Sequence, residues 1–304
     1  MEVSYPGYLK FQRRELNKRI EKLYEILKEC RICPRECRVN RLKGEKGFCG
    51  CGEELIVSSF HPHFGEEPPI SGYRGSGTIF FAHCNLRCVF CQNYPISHLG
   101  NGNKISVEEL AEGMINLQKM GCHNINLVTP THFIPQIVLA LSKAIEKGLS
   151  IPLVYNCGGY EAVETLKLLK GLVDIYMPDI KYGGEEEGKK YSSAPDYFEI
   201  AKKAVKEMFT QVGNLQIDKE GIARKGLLIR HLILPHKLAK TRNVLKFIAE
   251  EISPYTYISL MSQYFPAYRA REFKELSRRI TREEYEEALE ITRELGLEEG
   301  WRQE

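Results

Sequence analysis

The stretch that decides the fold is "GTIFFAHCNLRCVFCQN", residues 77–93. Its first half is an apolar run that predicts a buried strand. Its second half places Cys84, Cys88 and Cys91 in a C-x3-C-x2-C pattern directly after that strand. Three thiols leave a four-ligand site one ligand short. The pattern fits zinc with an open position, three irons of a [4Fe–4S] cluster, or simply three reduced thiols.

Downstream of this stretch the chain alternates between strand and helix patterns. Six predicted strands, the first at residues 77–84 and the last at 255–264, are separated by five predicted helices. Alternation of this kind predicts parallel strands. The predicted fold class is therefore α/β, a partial (β/α)6 TIM-type barrel with a small cysteine-rich N-terminal segment and a C-terminal helix. Barrel enzymes keep their chemistry at the carboxyl ends of the strands, where Cys84 lies.

Composition limits the classes of function. The chain has 304 residues, 43% of them hydrophobic, and a net charge of +3, which does not indicate a strongly basic nucleic-acid-binding protein. Its first residues lack the apolar region of a signal peptide, and no run of about 18 apolar residues occurs. We therefore expect a cytoplasmic protein with no nucleic-acid partner and no membrane association. Eight of the ten cysteines fall between Cys30 and Cys91, and clustered cytosolic cysteines indicate metal sites more often than disulfides.

Three regions are predicted along the chain. Residues 1–75 form an N-terminal helix and a cysteine-rich metal-binding segment, residues 76–265 the barrel, and residues 266–304 a C-terminal helical tail. Within the first region, residues 60–72 ("FHPHFGEEPPISG") contain several Gly and Pro residues, which favours a turn-rich linker. The alternative is a lining of the barrel entrance by the histidines and glutamates of this stretch.

A second group of cysteines precedes the barrel. Cys30, Cys33 and Cys37 form a C-x2-C-P-x2-C pattern, and Cys49 follows after a longer gap. Four thiolates can hold a structural zinc ion or a second iron–sulfur cluster, and free thiols are the remaining alternative. Cys51 is expected to be the spare cysteine.

A resemblance gives the first group of cysteines a chemistry. C-x3-C-x2-C after the first strand of a β/α barrel resembles the signature of the radical SAM superfamily, and Phe90 fills the aromatic position before its third cysteine. Residues 80–93 ("FFAHCNLRCVFCQN") are similar to the pyruvate formate-lyase activating enzymes and their uncharacterised homologues. The resemblance implies a [4Fe–4S] cluster on Cys84, Cys88 and Cys91. S-adenosyl-L-methionine (SAM) would bind the fourth iron and be cleaved to methionine and a hydrogen-abstracting 5′-deoxyadenosyl radical.

The same resemblance implies residues that bind SAM. Asp179 and Lys181 in "DIYMPDIKY" match family positions at the SAM end of the site, and Arg230 in "LLIRHLILP" matches the arginine that meets the SAM carboxylate. Asn156 in "VYNCGG" is expected near SAM. Strand alternation turns His231 away from Arg230, so His231 is expected to be a packing residue.

The chain also departs from the family. Where the family usually has Gly-Gly-Glu after the second strand, this chain has "TPTHFIP", so Thr129 and Thr131 are expected to receive the SAM amino group through their backbone carbonyls. Tyr155 stands where some members carry an acidic residue for a monovalent cation, so such a cation is not expected. The candidate catalytic residues are His132, Cys157 and Tyr264. His132 is expected either at the barrel mouth or in contact with the backbone where the next helix starts. Cys157 lies near the mouth but is expected to be a buried thiol, and Tyr264 ends the sixth strand.

Three functional hypotheses follow. The first is a radical SAM enzyme similar to glycyl-radical enzyme activases, served by an external one-electron donor and acting on a glycyl-radical enzyme or another protein or peptide. The second keeps the radical chemistry but modifies a small molecule or peptide. The third is a non-catalytic iron–sulfur or zinc protein that carries electrons or acts as a scaffold.

Overall fold

A computed structural model describes residues 6–303, so residues 1–5 of the predicted N-terminal region, and Glu304, lie outside the described part. The strands are β1 (Leu55–His63), β2 (Ser76–Phe81), β3 (Asn103–Ile105), β4 (Ile125–Val128), β5 (Leu153–Cys157), β6 (Ile175–Pro178), β7 (Gln216–Ile217), β8 (Ala223–Leu232), β9 (Tyr257–Met261) and β10 (Gly300–Arg302). The α-helices are α1 (Arg13–Ile26), α2 (Pro68–Ser71), α3 (Tyr94–Ser97), α4 (Val107–Lys119), α5 (Ile134–Glu146), α6 (Val163–Leu169), α7 (Glu185–Ser192), α8 (Tyr197–Val212), α9 (Thr241–Phe247) and α10 (Arg282–Glu294). A π-helical turn, Ile248–Ile252, continues α9.

Six parallel strands form the centre of one sheet, in the order β9-β8-β6-β5-β4-β2. These are the six strands that the sequence predicts, and the partial (β/α)6 barrel is confirmed. Helices α4, α5, α6, α8 and α9 lie between consecutive strands as predicted, and the capping box at Ser106 begins α4. The octapeptide helix α7 was not predicted, because its run of Glu and Lys residues shows no apolar face.

The sheet has two distinct faces. Outward side chains such as Ile125 and Leu127 join the large core beneath the helices. Inward side chains from β5, β6 and β8, among them Val154 and Met177, close the barrel interior around Ile70 of α2. Alternation then places Asn156 and Arg230 one step further towards the carboxyl ends of β5 and β8. The apolar side chains therefore fill the lower part of the barrel interior, and polar side chains line it at the carboxyl ends of the strands.

The predicted linker at residues 60–72 is wrong in its first part. Residues up to His63 belong to β1, which pairs antiparallel with β2, so that His61 lies opposite Thr78. The rings of His61 and His63 pack against Phe80 of β2, which places both histidines on the barrel side of the sheet. The Gly and Pro residues that favoured a linker fall mainly after the strand, where they shape the turn into α2.

The chain ends also contact the barrel. Helix α1 packs on α5, and β10 adds a parallel strand beside β9. Strand β7 forms a hairpin with the start of β8, the fifth barrel strand, and a capping box at Thr281 begins the tail helix α10. Among residues 6–303, no helix is both long enough and apolar enough to cross a membrane.

Candidate active site

The loop after β2 carries Cys84, Cys88 and Cys91. The hydroxyl of Ser192, at the end of α7, donates a hydrogen bond to the Cys88 sulfur over 2.9 Å. The backbone N–H of Leu86 donates to Cys84 Sγ over 3.3 Å. Hydrogen bonds of this kind favour a thiolate, which is the form of cysteine that binds iron.

The three sulfurs lie close enough to influence one another electrostatically. Burial raises the pKa of Cys84 to about 12 and also raises the pKa of Cys88, and in each case a neighbouring cysteine raises it further. The ammonium of Lys181 acts in the opposite direction on both thiols. Three adjacent soft donors beside a cation fit a [4Fe–4S] cluster, since iron can supply the remaining charge that holds them as thiolates.

A cavity of about 230 Å³ opens beside this loop. Its walls come from the cysteine loop and from the carboxyl ends of β6, β8 and β9: Cys88, Phe90, Cys91, Gln92, Asn93, Asp179, Lys181, Arg230, Leu232, Leu234, Met261 and Gln263. The structure thus brings two of the three cysteines together with Asp179, Lys181 and Arg230, three residues far apart in sequence from the cysteines.

Asp179 is the centre of an ion network in this cavity. Lys181 Nζ donates to its Oδ2 over 2.6 Å, and Arg230 Nε donates to its Oδ1 over 2.7 Å. Burial acts to raise the pKa of Asp179, but Arg230 and Lys181 outweigh it and hold the pKa at about 2. The carboxylate therefore stays ionised at neutral pH and fixes both cations beside the cysteines.

Arg230 has two further contacts. Its Nη2 donates to Asn156 Oδ1 over 2.7 Å, and its Nη1 lies 3.3 Å from Glu66 Oε2. Glu66 also stands 3.6 Å from His63 Nδ1, and this carboxylate raises the pKa of His63. The contacts of Glu66 agree with the alternative interpretation of residues 60–72, in which their histidines and glutamates line the barrel entrance, and not with the favoured turn-rich linker.

The loop after β4 holds the other predicted SAM contacts and one catalytic candidate. Thr129 adopts a positive φ of 58°. Thr131 is buried and donates its hydroxyl to Glu161 over 2.7 Å, so this side chain turns away from the cavity. His132 is fully buried, its Nε2 lies 2.7 Å from the carbonyl oxygen of Ala82, and burial lowers its pKa to about 3. His132 therefore lies behind the loop, in contact with the backbone, and is not among the residues that line the cavity.

Cys157 and Tyr264 are also outside the residues that line the cavity. Cys157 lies on the outward face of β5 in the large core, and its burial raises its pKa. Tyr264 is buried and donates its hydroxyl to the carbonyl of Leu276 over 2.7 Å. Its ring packs edge-on against Phe90 at 5.8 Å, so its contact with the cavity is indirect, through Phe90. Both candidates therefore pack behind residues that line the cavity and do not line it themselves.

Two buried polar residues have clear partners. Glu161 accepts hydrogen bonds from Thr131 and from the hydroxyl of Tyr155 (2.9 Å), and burial raises its pKa to about 7. No sequence pattern marked Glu161, which lies beyond β5. His231 bonds to the carbonyl of Ile180 (2.6 Å), which places it in the packing role expected from alternation.

The N-terminal cysteines lie apart from the cavity lining. Cys30, Cys33, Cys49 and Cys51 are buried and Cys37 is half-buried, and all of them are free thiols. In the part of the chain that the structure describes, no three His, Cys, Asp or Glu side chains already converge on a single metal ion. A metal site at these cysteines stays a prediction.

Comparison with known families and proteins gives three matches. A family model described as "Radical SAM superfamily" matches residues 78–217, which run from within β2 to the end of β7. "Uncharacterized protein MJ0674" from Methanocaldococcus jannaschii is 34% identical over 293 residues, covering 93% of this chain and 80% of that protein. "Uncharacterized protein MJ0808" from the same organism is 25% identical over 300 residues, covering 92% and 81% respectively.

A solved structure supports the fold. The chain superimposes on the crystal structure of HydG, a maturase of the [FeFe]-hydrogenase, with a TM-score of 0.52 and 13% identity. The match covers 97% of this chain but 59% of HydG, so the chain spans less than two thirds of that protein. At this identity the likeness concerns the fold.

Proposed function

The chain belongs to the radical SAM superfamily, and on that premise we propose that it reductively cleaves SAM and uses the resulting radical to abstract hydrogen from a protein glycine, as glycyl-radical activases do. The observation that carries the proposal is the single cavity shared by Cys88, Cys91, Asp179, Lys181 and Arg230. When bound, the cluster supplies one electron to the sulfonium of SAM, and that electron comes from an external donor.

The chain's own residues have separate tasks in this proposal. Cys84, Cys88 and Cys91 would hold the cluster through three of its irons, and the remaining iron would be available to SAM. Arg230, fixed by Asp179, presents a guanidinium of the kind that binds carboxylates. Buried carboxylates and cations in fixed positions orient SAM without reorganising during the reaction.

The rim of the cavity supports a polypeptide substrate. Gln92, Asn93 and Gln263 line it with side-chain amides, which can pair with both the N–H and the C=O of a peptide. Beside them Tyr94 stacks on Tyr268 at 4.9 Å, and Tyr268 remains 38% exposed. Exposed aromatic groups next to amides are typical of protein interfaces.

The free thiols support a cytoplasmic setting. All ten cysteines lie in the described residues and none forms a disulfide, as expected for a reducing compartment. An intracellular location would also give the cluster access to reduced one-electron donors.

The test begins with anaerobic reconstitution, reduction by dithionite and addition of SAM. We expect 5′-deoxyadenosine from the wild type and none from Cys88→Ala, whereas Cys122→Ala, a buried thiol outside the loop, serves as the matched control and keeps activity. A glycyl radical in an added glycyl-radical enzyme, seen by electron paramagnetic resonance, would support the activase. Wild-type protein with bound iron but no 5′-deoxyadenosine would refute radical chemistry. Cleavage of SAM without any protein radical would instead favour a small-molecule substrate.

A further inference from the structure

Two segments of the N-terminal region bring cysteines together. The loop of residues 30–39 is closed by a hydrogen bond from the N–H of Cys30 to the carbonyl of Val39 (2.9 Å). Residues 47–51 return onto this loop, where the N–H of Phe48 donates to Cys37 Sγ over 3.2 Å. The first segment thereby holds three cysteines against the two of the second.

The packing between the segments is close. A Cβ added at Gly47 would stand 2.8 Å from Cys37 Sγ, so only glycine permits the sulfur to lie there. Cys33 lies within the electrostatic influence of both Cys49 and Cys30. The thiol of Cys51 lies 3.9 Å from the carbonyl oxygen of Cys49. Cys33 therefore lies near Cys30 and Cys49, the thiol of Cys51 lies near the backbone of Cys49, and the sulfur of Cys37 contacts the backbone one residue before Cys49.

A buried cation faces this group without a carboxylate partner. Arg41 is fully buried, and it donates to the carbonyls of Gly52 (2.9 and 2.6 Å) and His132 (2.7 Å). Within residues 6–303 no Asp or Glu comes within ion-pair distance of its guanidinium. The three carbonyl contacts satisfy its N–H groups but leave its positive charge unbalanced, so a nearby anion would stabilise the buried guanidinium. Gly52, whose carbonyl accepts two of these hydrogen bonds, directly follows Cys51, so the guanidinium lies next to this group of cysteines.

We propose that Cys30, Cys33, Cys37 and Cys49 bind a second iron–sulfur cluster, and that the buried guanidinium of Arg41 balances its negative charge. The ligands of a cluster bind different irons and need not converge on one point, whereas those of a zinc ion must. The side chains of Cys84, Cys88 and Cys91 likewise do not converge on a single metal position in the described residues. Cys51 remains a hydrogen-bonding neighbour and not a ligand.

This second site is fastened to the radical SAM loop. Arg35 Nε donates to the carbonyl of Asn85 over 2.9 Å, and Arg87 Nη2 donates to the carbonyl of Phe48 over 2.6 Å. The Arg35 guanidinium also stacks on the Phe48 ring at 3.8 Å. The two cysteine loops therefore contact each other. The proposal of a second cluster does not depend on the proposed cleavage of SAM.

The experiment uses the full chain without the ligands of the first cluster. The triple variant Cys84→Ala, Cys88→Ala, Cys91→Ala is reconstituted anaerobically with ferrous iron and sulfide, and iron, sulfide and zinc are measured. We expect about two to four irons per chain with equal sulfide. One zinc per chain, or no metal at all, would overturn the proposal. Failure of the proposed function is seen separately, as missing 5′-deoxyadenosine from the wild type.

Further variants assign the ligands. In the triple-variant background, Cys49→Ala should lower bound iron at least tenfold, while Cys51→Ser and the control Cys122→Ala should leave it unchanged. Iron that survives Cys49→Ala would overturn the assignment. Cys49→Ala in the otherwise unchanged protein is the control for misfolding. It should lose the iron of the second cluster and keep the iron bound by the radical SAM cysteines. Arg41→Met should speed the loss of iron to a chelator at least fivefold, and an unchanged rate would contradict its role as the counter-charge.

Discussion

Replacing Arg230 with methionine removes the cation with the most polar contacts in the cavity while keeping much of its volume. The variant loses the bond to Asp179, the bond to Asn156 and the contact with Glu66. Lys181 remains as the partner of Asp179. The substitution thus leaves two buried carboxylates with less positive charge around them.

The magnitude follows from the pKa of Asp179. The two cations lower it from an ordinary value of 3.8 to about 2, which corresponds to about 2–3 kcal/mol in favour of the folded state. Removing one partner of a buried pair costs about 3–5 kcal/mol, so Arg230→Met should lower the free energy of unfolding by roughly 2–4 kcal/mol at pH 7. The wild-type contribution is present above about pH 4 and is lost as the pH falls through about 2. In the variant the pKa of Asp179 rises, so the loss begins at a higher pH.

The assay is anaerobic denaturation by urea at pH 7 and at several values down to pH 3, with Arg242→Met as the matched control. Arg242 pairs with Glu294 on the surface, where both side chains are about half exposed, so its loss should cost less than about 1 kcal/mol. Arg230→Met should also weaken SAM binding at least tenfold while iron content stays at the wild-type level. If the two variants lost equal stability and bound SAM equally well, the role assigned to Arg230 would be refuted.

Three further outcomes are expected. Because burial raises the pKa of Glu161 to about 7, wild-type stability should fall as the pH rises from about 4.5 to 7, and denaturation curves of Glu161→Gln should lack this slope. Gly159→Ala should lower the melting temperature far more than Gly148→Ala, since both glycines have positive φ but only at Gly159 would a Cβ overlap the carbonyl of Asp179; equal shifts would contradict this. His132→Gln should cost about 1–3 kcal/mol in unfolding yet leave the pH profile of 5′-deoxyadenosine formation unchanged, and an altered profile would return His132 to the catalytic candidates.

The barrel was accessible from sequence because its signals are local. Apolar runs such as residues 226–235 predict buried strands, and capping residues such as Ser106 and Thr281 mark where helices begin. Strand β1 was not accessible in this way. Its histidines and proline lie among turn-forming residues, and it becomes a strand only because β2 offers an edge with which it can pair.

The candidate site residues show the same difference between local sequence signals and tertiary packing. The family resemblance selected Asp179 and Arg230, which continue the inward faces of neighbouring strands, and the structure joins them by a 2.7 Å hydrogen bond. His132 lies in the loop after β4, at the end of the barrel where catalytic residues are expected. The direction of a loop side chain, however, depends on what packs behind the loop. In this chain the N-terminal segment lies there, with Arg41 on the carbonyl of His132.

Sequence by itself determined the α/β class, the parallel barrel and the three-cysteine loop at its active face, because hydrophobic period and residue spacing are properties of short segments. Tertiary structure alone decided that Glu66 reaches Arg230, that His132 is fully buried, and that Arg41 lies beside the N-terminal cysteines. These contacts join residues from roughly 10 to more than 160 positions apart, and they depend on the packing of whole layers, which no local pattern records.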